Sequence, residues 1–171
     1  MKTELFPLVD DSGKVIGSAT RETCHSGTFL LHPVVHLHVI NDQGDLLLQK
    51  RASNKDIQPD KWDTSVGGHV DFGEEVENAL IREVREELGV TEFKPVFIHR
   101  YKFVSNIEAE LVNSFYTIYN GPFTADPEEI SEIRFWKIED ILKNIGNDVF
   151  TPNFEDEFMN LYKLNLLPLK V

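Results

Sequence analysis

The sequence predicts an α/β fold in which a mixed β-sheet is covered by helices. Three observations carry this. Short runs rich in β-branched and aromatic residues, punctuated by Asp, Asn and Gly, fill the first third of the chain. A helical pattern at about 74–88 interrupts them, and more strand-like runs follow. Two helical segments close the chain, so strands and helices alternate as a sheet packed between helical layers requires.

The elements follow in order. Residues 4–9 and 14–19 read as two strands around the turn Asp10-Asp11-Ser12-Gly13, and 20–26 as a short irregular or helical piece. Residues 31–40 and 45–51 flank Asn41-Asp42-Gln43-Gly44 and predict a strong hairpin. A short strand at 64–70 leads into the helix. Residues 92–103 and 108–119, rich in Phe, Val, Ile and Tyr, are two further strands, and 132–138 is another. Residues 139–145 and 152–165 read as helices, and 121–130 as a loop within the domain.

The 171 residues suit one domain with a full-sized core. Composition is that of a globular protein, 41% hydrophobic and 27% charged. A net charge of −12 argues against nucleic-acid and anionic-membrane binding, which need basic surface. It does not oppose a phosphorylated small molecule, because a bound metal and a few placed cations neutralise phosphate locally. No apolar run is long enough to span a bilayer, and no signal-peptide pattern is seen. The single cysteine, Cys24, excludes an internal disulfide, and with these features a reducing cytoplasm is expected.

The helix at 74–88 carries the chemistry. Taking about 100° per residue with Val76 as zero, Leu80 falls near 40°, Val84 near 80° and Ala79 near −60°. On the same wheel Glu87 falls at about 20° and Glu83 at about −20°, inside the apolar stripe, with Glu86 at its edge at about −80°. An ordinary solvated face would carry its acids opposite that stripe. Buried acids without partners are costly. Arg82 can pair with one of them, which leaves negative charge over, and a divalent cation is the obvious counterion.

The segment from Gly68 to Val90 resembles the signature box of the Nudix hydrolase superfamily, G-x5-E-x7-R-E-U-x-E-E-x-G-U with U apolar. Gly68, Glu74, Arg82, Glu83, Val84, Glu86, Glu87, Gly89 and Val90 meet every fixed position. The resemblance implies an α/β/α sandwich with a central mixed sheet. It also implies Mg²⁺- or Mn²⁺-dependent hydrolysis of a diphosphate linked to another group. Glu83, Glu86 and Glu87 would be the metal-binding and base-providing carboxylates, with the Gly67 carbonyl a further ligand. Arg82, counted with the catalytic group, and Glu74 would hold loop and helix together. In such families the base can also come from a later loop, where Glu128 and Glu129 lie, although solvated charges are the simpler reading of that pair. Nudix hydrolases are often dimers, and the N-terminal hairpin is a candidate for pairing across a homodimer interface.

Five of six histidines precede the helix, and alternation puts His32, His36 and His38 on one strand face. Residues 14–110 are similar to the isopentenyl-diphosphate isomerase branch of the superfamily. That branch holds a metal through two histidines seven residues apart, a third beside the box glycine, and a Glu-x-Glu. The matching residues are His25, His32, His69, Glu108 and Glu110, a set suited to Mn²⁺ or Zn²⁺. Basic residues matched by Arg21, Arg51 and Lys55 hold the diphosphate there. Two departures stand out. Gly67 occupies the place of the isomerases' catalytic cysteine, and the acids Glu83 and Glu86, which the isomerases lack, are present. The resemblance therefore implies a hydrolase acting on a small organic diphosphate. An isomerase is the alternative reading, and a non-catalytic nucleotide or diphosphate sensor the third.

Overall fold

The computed structural model describes residues 3–170. Strands β1 (Leu5–Val9) and β2 (Val15–Thr20) form a separate antiparallel ribbon. Thr20 then caps the four-residue helix α1 (Arg21–Cys24), its side chain accepting from the Thr23 N–H at 3.1 Å. The main sheet contains β3 (Leu31–Ile40), β4 (Leu46–Arg51), β5 (Trp62–Asp63), β6 (Val66–His69), β7 (Val96–Val104), β8 (Ala109–Ile118) and β9 (Ile130–Trp136). Its central path runs β5-β4-β3-β8-β7, with β6 paired to β3 and β9 to β4. β3 and β8 are parallel along their whole length and the other pairs antiparallel, so the sheet is mixed.

The hairpin expectation is corrected in one respect. The turn at 41–44 forms, but β3 and β4 share only the pair Ile40↔Leu46. Beyond it they diverge. β3 takes β6 as its partner over Val34–Leu37, and β4 takes β9 and β5. A local turn signal fixes where the chain reverses, whereas ladder partners are set by which faces must be buried. The splay lets β6 reach β3 and carry Gly67, Gly68 and His69 into the middle of the sheet.

Alternation along β3 divides two apolar layers. Val35, Leu37 and Val39 pack with Ala79, Leu80, Val84 and Leu88 of α2 (Val76–Leu88). Ile40 belongs to the opposite layer, formed with Ile138 and Ile141 of α3 (Ile138–Asn144) and Phe154, Phe158 and Leu161 of α4 (Pro152–Lys163). Helices thus cover both faces, the α/β/α arrangement. α2 ends where Gly89, at φ 65°, adopts the left-handed conformation that closes a helix at low cost for glycine. α4 starts at Thr151, whose hydroxyl accepts from the Phe154 N–H at 3.2 Å. Among the described residues no helix is long and apolar enough to cross a membrane.

Candidate active site

The phases on α2 are realised. Ala79, Leu80, Val84 and Leu88 are buried, Glu83 and Glu87 are partly buried, and Glu86 projects with a half-exposed side chain. A Cβ at Gly68 would collide with the Glu83 carboxyl, so this close approach of strand and helix requires glycine. Arg82 joins the parts. Its Nε and Nη2 donate to the two oxygens of Glu74, each at 3.0 Å, and Nη2 also donates to the His69 carbonyl at 2.9 Å. Nη1 donates to Glu83 at 2.6 Å. This fork ties the turn, β6 and the helix together, the positioning part expected of Arg82 and Glu74.

Glu87 is the most perturbed acid of the group. Burial pushes its pKa up to about 8, helped by the charges of Glu83, Glu129 and Asp63 and opposed by a hydrogen bond from Gln49 Nε2 at 2.7 Å. Burial likewise raises Glu83, against the pull of Arg82. One arginine does not neutralise this group, and an added cation would relieve it.

A second cluster lies around His69. His25, His32, His69 and Glu108 each offer one ligand atom, all within 4.8 Å of one another. Burial lowers all three imidazole pKa values, His25 to about 4, so the rings are neutral and keep lone pairs. His32 Nδ1 sits 2.9 Å from the Leu30 carbonyl, so that nitrogen carries the proton and Nε2 is the free lone pair. That Nε2 and one Glu108 oxygen are buried without a hydrogen-bond partner. Orphaned polar atoms converging on one point fit a metal ion. Phe6 from β1 is stacked on His69 at 4.4 Å between centroids and roofs the cluster.

Glu110 lies outside that four-residue group; it stands on β8, whereas Glu108 immediately precedes the strand. Burial and the Glu108 charge push Glu110 up to about 7. The three basic residues are brought together. Arg21, Arg51 and Lys55 line one cleft of ≈ 970 Å³ with the α2 acids, Gly67, and His25, His69 and Glu108 of the histidine cluster. Each already touches an acid: Arg21 with Glu4 at 3.5 Å, Arg51 with Asp63 at 3.4 Å, and Lys55 with Glu129. Glu129 lines the cleft, and Glu128 is exposed and not part of its lining. Cys24 is buried and unpaired.

Besides Phe6, three polar residues of this region escaped the sequence reading. Gln49 reaches Glu87 from β4, Asp63 meets Arg51 from β5, and Glu157 is buried on α4 against His36 and His38. Only Glu157 left a signal, because it falls within the apolar spacing Phe154, Phe158, Leu161, just as Glu87 does on α2.

The family model for the NUDIX domain matches residues 30–154. The chain belongs to the Nudix family. Curated relatives of this Nudix protein include an isopentenyl-diphosphate Delta-isomerase of Paenarthrobacter aurescens. That protein is 30% identical, over 98% of this chain and 96% of its own length. Another is an uncharacterized Nudix hydrolase of Yersinia pestis, 30% identical over 88% of this chain and 81% of its own. Among solved structures, a Deinococcus radiodurans protein superposes with a TM-score of 0.80 at 23% identity, covering 93% of this chain and 99% of that one. A MutT protein from Methanosarcina mazei gives 0.68 at 25% identity, covering 79% and 95%.

Proposed function

We propose that this Nudix protein is a divalent-metal-dependent hydrolase that cleaves the diphosphate of a small organic molecule, a nucleoside diphosphate linked to another group or a similar ester. The observation that carries the reading is the complete acid set Glu83, Glu86 and Glu87 on the wall of a cleft that also holds Arg51 and Lys55. A Mg²⁺ or Mn²⁺ ion held by these acids and the Gly67 carbonyl would supply water activation and neutralise phosphate charge. The chain supplies the rest. Arg21, Arg51 and Lys55 exchange their present carboxylate partners for the diphosphate. Arg82 fixes Glu83 and the 68–74 turn. A water oxygen bonds to phosphorus, its proton goes to a cleft carboxylate, and the bridging P–O bond breaks with the leaving phosphate taking the electron pair. His25, His32, His69 and Glu108 are assigned to a second ion, Mn²⁺ or Zn²⁺.

Isopentenyl-diphosphate isomerisation is the second reading, favoured by the names of the relatives. Gly67 argues against it, since glycine has no thiol or other proton-transferring group at that position. The test is product analysis on a panel of diphosphates with Mg²⁺ and Mn²⁺, isopentenyl diphosphate included. Metal-dependent cleavage that falls about 10³-fold in Glu87→Gln supports the hydrolase. Normal turnover in a folded Glu87→Gln protein sinks the assignment of the acids, and isomerised, uncleaved isopentenyl diphosphate sinks the hydrolase.

A further inference from the structure

The cleft has a wall that neither the box nor the metal cluster explains. On β3, His36 Nδ1 meets Glu157 Oε2 at 2.6 Å, His38 Nε2 meets Glu157 Oε1 at 3.1 Å, and the Ser114 hydroxyl donates to the same carboxylate. Glu157 and His38 are buried, whereas His36 keeps an edge open and lines the cleft. With Nδ1 engaged, the free edge of the ring is Nε2, for which the described residues provide no hydrogen-bond partner. What leaves that edge open is Gly67. A Cβ built there would sit 3.4 Å from His36 Cδ2 and 3.7 Å from Nε2, so any larger side chain at 67 would begin to cover the nitrogen.

Adjacent residues of β6 point to opposite faces. Gly68 approaches Glu83 on the α2 side, and Gly67 approaches His36 on the α4 side. One cleft spans both. A diphosphate lying against the α2 acids would have room in this cleft to extend its other half across β6 toward His36. Asp63, Thr64, Glu110 and Asn153 line the same cleft, so a group entering it meets polar side chains.

The pair is also costly. Glu157 stands within a helix stripe whose other members, Phe154, Phe158 and Leu161, are fully buried, and an apolar residue would pack there. Buried ion pairs are frequently no more stabilising than apolar replacements. This one does something an apolar residue cannot: it locks an imidazole with one nitrogen facing the cleft.

We propose that His36 is a substrate-binding residue that hydrogen-bonds through Nε2 to the non-phosphate half of the substrate, that Glu157 is its positioning residue, and that this half is a hydroxyl- or carbonyl-bearing group such as a sugar, not a prenyl chain. The proposal rests on the cleft being the diphosphate site. Burial alone would lower the His36 pKa, but the Glu157 charge and hydrogen bond override it and hold it at about 9, which makes Nε2–H a charge-assisted donor.

The test is calorimetric binding, which needs no turnover and so reads His36 separately from the hydrolase assignment. ADP-ribose, UDP-glucose, dimethylallyl diphosphate and inorganic diphosphate are titrated into the wild-type protein and into His36→Leu and His36→Gln. Wild type is expected to bind at least one of the two sugar-bearing diphosphates more tightly than dimethylallyl diphosphate. His36→Leu is expected to weaken that binding about 10- to 100-fold, the scale of one charged hydrogen bond, with inorganic diphosphate unchanged. His36→Gln, which places an amide near the Nε2 position, is expected to recover most of the loss. If the protein hydrolyses the ligand, the same loss appears in KM and not in kcat. Tighter binding of dimethylallyl diphosphate, no binding of either sugar-bearing ligand, unchanged affinity in His36→Leu, or an equal loss for inorganic diphosphate each overturns the proposal. Glu157→Gln is read alongside: weakened ADP-ribose or UDP-glucose binding in a folded protein supports the positioning role, and wild-type affinity overturns it.

Discussion

Two groups of histidine and glutamate start from the same strand, and they behave in opposite ways. Around His32, three imidazoles and Glu108 converge with lone pairs and an orphaned oxygen facing one another, and burial keeps the rings neutral. Four to six residues along β3, His36 and His38 face Glu157, whose two oxygens are both taken by protein donors. Residue types are the same in both. What differs is where the carboxylate sits relative to the rings. Glu157 supplies hydrogen-bond acceptors that favour protons, whereas one Glu108 oxygen lies 3.1 Å from His25 Nε2 and 3.9 Å from His32 Nε2 without a hydrogen bond, an arrangement that fits a metal. Buried imidazole follows the counterion that reaches it first.

The largest way to break this contrast is metal content. About one transition-metal ion per chain is expected in the purified protein; His32→Gln should carry almost none, and Glu157→Gln should keep it. Elemental analysis showing equal loss in both variants would erase the distinction between the groups. Next comes stability. Removing Glu157 strands two imidazoles and a hydroxyl, so Glu157→Ala should cost about 3–5 kcal/mol in urea unfolding. Glu108→Gln in metal-free protein should cost less than about 1 kcal/mol, because one of its oxygens has no hydrogen bond to lose. Comparable costs would show that Glu108 is as firmly engaged as Glu157.

The smallest effect is a pair of opposed pH slopes in metal-free protein. His36 is raised to about 9 in the fold, so its contribution is fully present below its unfolded value near 6.5 and is lost as pH rises through 9. His25 is lowered to about 4, so the unfolded chain binds the extra proton and stability falls as pH drops from about 6.5 toward 4. The melting-temperature deficit of His36→Gln should therefore shrink on the alkaline side, and His25→Gln should gain relative to wild type on the acid side. Slopes of the same sign would contradict the assignment of one charged and one neutral ring.

Much of the site could be read along the chain because it is local. The box lies on one turn and one helix, so spacing alone puts Glu83 and Glu87 into the apolar stripe of α2, and the wheel needs no tertiary information. The same wheel on 152–163 places Glu157 among Phe154, Phe158 and Leu161, but a lone acid in an apolar stripe, outside any motif, does not by itself name a partner. Gln49 and Phe6 had no signal at all. One looks like an ordinary strand residue and the other like ordinary core, until β4 and the N-terminal ribbon are brought against the site.

By itself, then, the sequence determined the order and type of the longer elements, though not the two-residue β5, together with the inward acids of α2 and the absence of a side chain at 67, since each depends on helical or strand periodicity or on a single residue's chemistry. Only the tertiary structure decided that β3 abandons β4 for β6, that Glu108 joins the histidines while Glu110 stays outside, and that His36 finds Glu157 on a helix 121 residues away. Those outcomes turn on which faces meet when the sheet closes. Distances between remote side chains come from packing two layers onto one sheet, and no local pattern encodes them.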